Sequence, residues 1–229
     1  MDTIDDKLLS FSEIMRYKEC PMKFWFAKLS VSKDEIPEPL MLQFGSQVHN
    51  NIKMYYEDLS KGERIPPLSL FYLKRGLSGF RSINKIARNF EFFEKNRKFL
   101  GLIPCEVEKY YKNDLYRGKV DAIFKDNEGR LIIYDWKSFR IHSSYKFQGY
   151  IYSKLTGIKD VRFYSLYYGE TINMSPEDFI QGSLVVSNVR QEIDNDRNKG
   201  IMSIQRNRSS VVCKTCPYQS HCRLLDVKN

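Results

Sequence analysis

The apolar positions change period along the chain. From Leu42 to about Leu59 they fall at Val48, Ile52, Tyr55, Tyr56 and Leu59, the spacing of one helix face. Upstream, Ser10-Phe11-Ser12-Glu13 has the form of a capping box opening a helix. Pro21 should stop that helix near Cys20 and start a second one carrying Phe24, Trp25 and Phe26. Residues 30–40, with Pro37 and Pro39, read as a loop, and after Pro66-Pro67 residues 68–98 are helical in pattern, weakened at Gly76 and Gly79. The period then shortens to two. Residues 103–111, 115–124 and 131–137 are expected strands, with Asp126-Asn127-Glu128-Gly129 as turn chemistry between the last two. A helix is expected at about 144–156, one or two strands within 160–174, and a charged helix from Pro176 to about Asn198. Residues 201–229 have no clear period. This order predicts an α/β fold, a mixed sheet covered by helices. The 229 residues suit one domain: a mainly helical part over 1–100, a core over 101–200 and a tail over 201–229.

Strands 115–124 and 131–137 carry the chemistry. Alternation puts Leu131, Ile133, Asp135 and Lys137 on one face. A five-residue loop at 126–130 would pair Phe124 with Ile132, and hence Asp121 with Asp135. Opposed residues hold their Cβ atoms roughly 4.5–5.5 Å apart. Two carboxylates at that range repel, so one is protonated or a cation lies between them. Oxygen ligands of this kind suit magnesium or manganese, and Lys137 would reach a water or a phosphate oxygen beside the ion. A surface hairpin with solvated charges is the competing reading. Leu131 and Ile133, sharing the face, argue against it.

Composition adds a partner class. Lys and Arg number 37 against 28 Asp and Glu, a formal charge of +9, with 15 Phe, 15 Tyr and 2 Trp. A basic, aromatic chain is compatible with nucleic acid, although most of these rings should fill the core. The acidic start, MDTIDDKLLS, lacks the layout of a secretion signal. No apolar run approaches the ~20 residues that span a bilayer. The expectation is a soluble cytoplasmic protein with no membrane partner. In that setting Cys213, Cys216 and Cys222 have metal-ligand spacing and need a fourth ligand. On spacing alone the metal is zinc, completed by His221, Cys20 or Cys105.

The residues also carry a resemblance. Asp121, followed by Asp135-Trp136-Lys137 at the end of an apolar strand, resembles the PD-(D/E)xK nuclease signature. Gly45-Ser-Gln-Val-His49 resembles the GxxxH motif of its RecB-like branch, and Gln148-Gly-Tyr-Ile-Tyr152 the QxxxY motif. Ser12 to Cys20-Pro21 resembles the branch's opening pattern. Within the branch the likeness is to the CRISPR-associated Cas-four exonuclease family. It implies a restriction-endonuclease-like mixed sheet flanked by helices, with an N-terminal helical region and a C-terminal Fe–S-binding tail. It further implies metal ligation by His49, Asp121, Asp135 and the Trp136 carbonyl, with Lys137 acting on water or phosphate. Gln148 and Tyr152 would position the substrate or support the site. A glutamate on the preceding strand is expected, Glu108 or Glu106, with Glu108 favoured. Asp135 stands where the family usually has Glu, which the signature allows. The implied activity is magnesium- or manganese-dependent exonuclease action on DNA with single-stranded ends, in CRISPR spacer acquisition, with CRISPR adaptation proteins as partners. The resemblance also replaces zinc by a 4Fe-4S cluster on Cys20, Cys213, Cys216 and Cys222, and leaves Cys105 as a buried thiol. Two other readings compete: a non-catalytic DNA-binding adaptor with the same fold, and a zinc-binding nucleic-acid module. The first gives no reason to keep two carboxylates together, and the second does not explain the strand pair.

Overall fold

The computed structural model describes residues 8–34, 40–62, 77, 81–207 and 209–227. Helices α1 (Phe11–Glu19), α2 (Pro21–Lys28), α3 (Leu40–Ser60) and α4 (Ile83–Phe99) precede strands β1 (Ile103–Lys112), β2 (Arg117–Lys125) and β3 (Leu131–Lys137). Then follow α5 (Tyr145–Thr156), β4 (Asp160–Ser165), β5 (Glu170–Asn173) and α6 (Pro176–Arg197). The expected loop at 30–40 is non-helical over 30–34, with 35–39 outside the described residues, and of the expected 68–98 helix residues 68–76 and 78–80 lie outside them. The aperiodic tail holds two short helices, α7 (Ser210–Lys214) and α8 (Gln219–Val227), after one 3-10 turn. Among the described residues, no helix is long and apolar enough to cross a membrane.

The five strands form one mixed sheet in the order β1-β2-β3-β4-β5. Only β3 and β4 run parallel. A parallel pair needs a crossover, and α5 supplies it across one face. The β2–β3 hairpin has the expected register, with Phe124 opposite Ile132 and Ala122 opposite Tyr134. β3 is central and buried on both faces. Ile132, Tyr134 and Trp136 join Phe90 and Phe93 of α4 and Tyr55 and Tyr56 of α3 on one side. Ile133 packs with Tyr152 and Phe163 on the other. Leu131, expected to help bury that face, is 44 % exposed, because it begins the strand at the hairpin end. α6 crosses α5 closely at Gly182, where a side chain would stand 2.4 Å from the Lys146 carbonyl oxygen.

Ser10 and Glu13 form the capping box of α1 as expected, and Glu13 does more. Its carboxylate meets Lys28 Nζ of α2 at 2.9 Å and Arg117 of β2 at 2.8 Å, joining the first helices to the sheet. Burial alone would raise the Glu13 pKa. The hydrogen bond from Lys28 and those from Ser10 override it and hold the group at about 2, against 4.5 unperturbed. A depressed carboxyl stabilises the fold above its unfolded pKa, and the gain disappears as pH falls from 4.5 toward 2. The shift is equivalent to roughly 3 kcal/mol. Glu13→Gln should therefore lower stability at pH 7 by about 2–3 kcal/mol and flatten the acid loss between pH 5 and 2. Urea denaturation at both ends of that range measures it. A variant as stable as the parent at pH 7 would contradict the account.

Candidate active site

The site forms where β2 and β3 stop pairing. Asp121 lies one residue beyond the last ladder pair, and its carboxylate takes the place of a strand partner. Oδ2 accepts the backbone N–H of Trp136 at 2.9 Å. The register that pairs Ala122 with Tyr134 brings Asp121 beside Asp135, and the two are 5 % and 1 % exposed. The charges do not face solvent. Lys137 Nζ sits 2.5 Å from Asp135 Oδ1, an ion pair that places an ammonium on this buried oxygen. A buried carboxylate is costly without such a charged partner.

α5 closes the site from one face. Gln148 donates to Asp135 Oδ2 at 2.9 Å and accepts from Lys137 Nζ at 2.8 Å, fixing both partners. The Tyr152 hydroxyl lies 3.0 Å from Asp135 Oδ2 and from the Lys119 carbonyl oxygen, and Gln148 also donates to it at 2.7 Å. The four-residue spacing of Gln148 and Tyr152 puts them on one side of the helix. From the other face, α3 brings His49, whose Nδ1 is 3.3 Å from Asp121 and 3.4 Å from Glu108. Trp136 contributes its N–H here and its indole to the aromatic core.

Glu108 and Glu106 separate in the structure. Glu108 has φ +52, a left-handed residue in mid-strand, and its side chain is 5 % exposed beside His49. A non-glycine residue held there stores strain, and such residues gather at functional sites. Glu106 pairs instead with Lys109 and the Tyr111 hydroxyl. The ligand atoms of His49, Glu108 and Asp121 lie within 4.8 Å of one another, a grouping able to hold a metal ion. Asp135 borders the group beside Asp121 and is not one of the three. Lys119, which sequence reasoning passed over, is ion-paired to Glu108. The signal was there: Lys119 and Asp121 are two apart on one strand.

The titration follows the packing. Burial pulls the His49 pKa down, but Asp121, Glu108 and Asp135 outweigh it and lift it to about 10. Burial and the Asp121 charge push Asp135 up to about 6, with Lys137 offsetting only part. Burial acts upward on Asp121 as well, yet His49, Lys137 and the Trp136 N–H hold it below the ordinary range. Two close carboxylates thus divide into one ionised and one reluctant to ionise.

A second grouping lies at the chain ends. Cys20 links α1 to α2, Cys213 ends in α7, Cys216 follows it, and Cys222 is on α8. All four line one pocket of about 260 Å³, together with Lys23, Arg206 and Arg223. Among the described residues, no three of their sulfurs lie within 4.8 Å of one another. Four thiolates on a single zinc would sit about 3.8 Å apart, given Zn–S bonds near 2.3 Å. Burial raises the Cys216 thiol, and burial with the Cys216 and Cys20 sulfurs pushes Cys222 up to about 11. His221 bonds Ser220 and Ser32 instead of lining the pocket. Cys105, expected to be buried, is exposed because β1 is an edge strand with a bulge between Pro104 and Glu106.

Comparison with known proteins gives the chain a family. A family profile for the PD-(D/E)XK nuclease superfamily matches residues 8–223. The chain belongs to that superfamily. A crystal structure of a protein from Eubacterium rectale described as "Putative exonuclease" is similar in fold, with a TM-score of 0.59 at 12 % identity. The match covers 95 % of this chain and 88 % of that one. A second crystal structure, of SSO0001, covers 93 % of this chain and 96 % of its own at 15 % identity, with a TM-score of 0.35. No curated protein matches the chain.

The hydroxyl of Tyr152 is buried between Asp135 and the Lys119 carbonyl. Tyr152→Phe should cost about 1–2 kcal/mol of stability, because it removes a donor from buried acceptors. Denaturant titration checks this, and a loss under 0.5 kcal/mol would mean the network is not formed as described.

Proposed function

We propose that the protein is a metal-dependent DNA exonuclease that hydrolyses phosphodiester bonds at single-stranded ends. One observation supports the reading above the others: two buried carboxylates, Asp121 and Asp135, lie side by side, with the ligand atoms of His49 and Glu108 grouped around Asp121 and a lysine on Asp135. Carboxylates this close and this buried suit a cation between them. His49, Glu108, Asp121 and Asp135 would hold it, with the Trp136 carbonyl as a further ligand. Hard oxygen donors with one imidazole favour magnesium or manganese. Such an ion lowers the pKa of a water and offsets charge developing on the phosphoryl group.

The chain's own residues do the rest. The Lys137 side chain is 29 % exposed and its ammonium is steered by Gln148, so it can donate to a phosphate oxygen or orient the attacking water. Gln148 and Tyr152 keep Asp135 in one rotamer. Their removal should loosen the site without removing any ligand.

The cysteine pocket supports a 4Fe-4S cluster on Cys20, Cys213, Cys216 and Cys222. A cubane takes four thiolates, one on each iron, and the four cysteines line this one pocket. Lys23, Arg206 and Arg223 supply counter-charge for the four thiolates. The cluster would tie α1 and α2 to the tail and is structural in this reading. The RecB-like motifs and the likeness to CRISPR-associated exonucleases further suggest a cytoplasmic role in trimming DNA for spacer acquisition, beside CRISPR adaptation proteins.

Two outcomes are expected. Asp135→Ala and Lys137→Ala should each lower cleavage of labelled single-stranded DNA roughly a hundredfold or more, while oligonucleotide binding largely survives. EDTA should abolish cleavage, and magnesium or manganese should restore it. Undiminished cleavage by both variants would refute the site. Anaerobically purified protein should contain about four irons per chain and absorb near ~400 nm. Colourless protein with stoichiometric zinc would overturn the cluster.

A further inference from the structure

Lys119 has no part in the reaction described above, yet it stands inside the site. Its ammonium pairs with Glu108, whose side chain is only 5 % exposed, while 56 % of the Lys119 side chain faces solvent. Lys137 holds the matching position on Asp135, at 29 % exposure. The backbone beneath Lys119 is pinned, since Tyr152 reaches its carbonyl oxygen at 3.0 Å. The root of the side chain is therefore fixed and its end is wet. Glu108 is also one of the three groups whose ligand atoms cluster. A carboxylate serving a divalent ion has less need of an ammonium, and a flexible lysine can turn outward without backbone movement.

Charge then decides where the ammonium is useful. With a divalent ion bound and His49 ligating as a neutral imidazole, Glu108, Asp121 and Asp135 contribute three negative charges. The ion and Lys137 contribute three positive ones. Without Lys119 these groups sum to zero charge. With it, the site is positive by one charge, on the side open to solvent. We propose that Lys119 is a phosphate-binding residue for the substrate strand, paired to Glu108 until substrate and ion replace that contact. The proposal rests on the nuclease reading. A purely structural lysine that only neutralises Glu108 is the alternative.

The two differ in salt dependence. The test uses the full chain with calcium, a fluorescein-labelled oligothymidylate and a salt series read by anisotropy, for wild type, Lys119→Gln and Lys119→Arg. Loss of one phosphate contact should weaken binding about five- to tenfold and reduce the slope of log K against log salt by about 0.7. Lys119→Arg should keep the wild-type slope. Calorimetry with manganese should find Lys119→Gln binding the ion as tightly as wild type or more tightly, and the cleavage assay should show KM rising more than kcat falls. Circular dichroism confirms folding of the variants. An unchanged slope in Lys119→Gln, or weakened manganese binding, overturns the proposal. If wild type cleaves DNA and the slope does not move, this inference alone fails. If wild type neither cleaves nor binds the oligonucleotide, the nuclease reading fails and the inference with it.

Discussion

Strand register puts Asp121 and Asp135 together in a place where water cannot separate their charges. Burying an unpaired carboxylate is expensive, and burying two beside each other adds repulsion. Every neighbour of the pair answers that cost. The Trp136 N–H and His49 hold Asp121 ionised, Lys137 partly neutralises Asp135, and Gln148 with Tyr152 saturates one oxygen. The other oxygen of Asp135 carries the Lys137 ammonium. A site built to bind a cation keeps two carboxylates together at this cost. A core built for stability alone has no reason to.

The rest of the fold holds these groups in place. β3 is central, so the strand bearing Asp135 and Lys137 is locked by neighbours on both sides. α3 delivers His49, and its Tyr55 and Tyr56 are tied to α4 through Glu94, which Arg97 in turn clamps. That buried network sets where α3 lies on the sheet, and with it the imidazole. α5 is both the crossover that makes β3 and β4 parallel and the carrier of Gln148 and Tyr152. One element satisfies a topological requirement and a chemical one.

Much of this was legible in the residues because it rests on local rules. The hairpin loop length determined the register, and the alternation along 131–137 placed Asp135 and Lys137 on one face. The capping box at Ser10 and Pro21 marked the first two helices correctly. What was not legible depends on contacts distant in sequence. Glu108 separates from Glu106 through a left-handed backbone turn that no side-chain pattern announces. Lys119 meets Glu108 only once β1 and β2 pair. Cys105 is exposed because β1 lies at the sheet edge, and strand order is not written in strand pattern. The two tail helices are too short to show a period.

Anomalous diffraction from crystals of the protein soaked in manganese tests the central claim most directly. The account expects one strong peak within bonding distance of Asp121, Asp135 and His49, with the Lys137 ammonium moved off Asp135 Oδ1. A protein that takes up no manganese there, or a peak that leaves both aspartates without a metal bond, would contradict it.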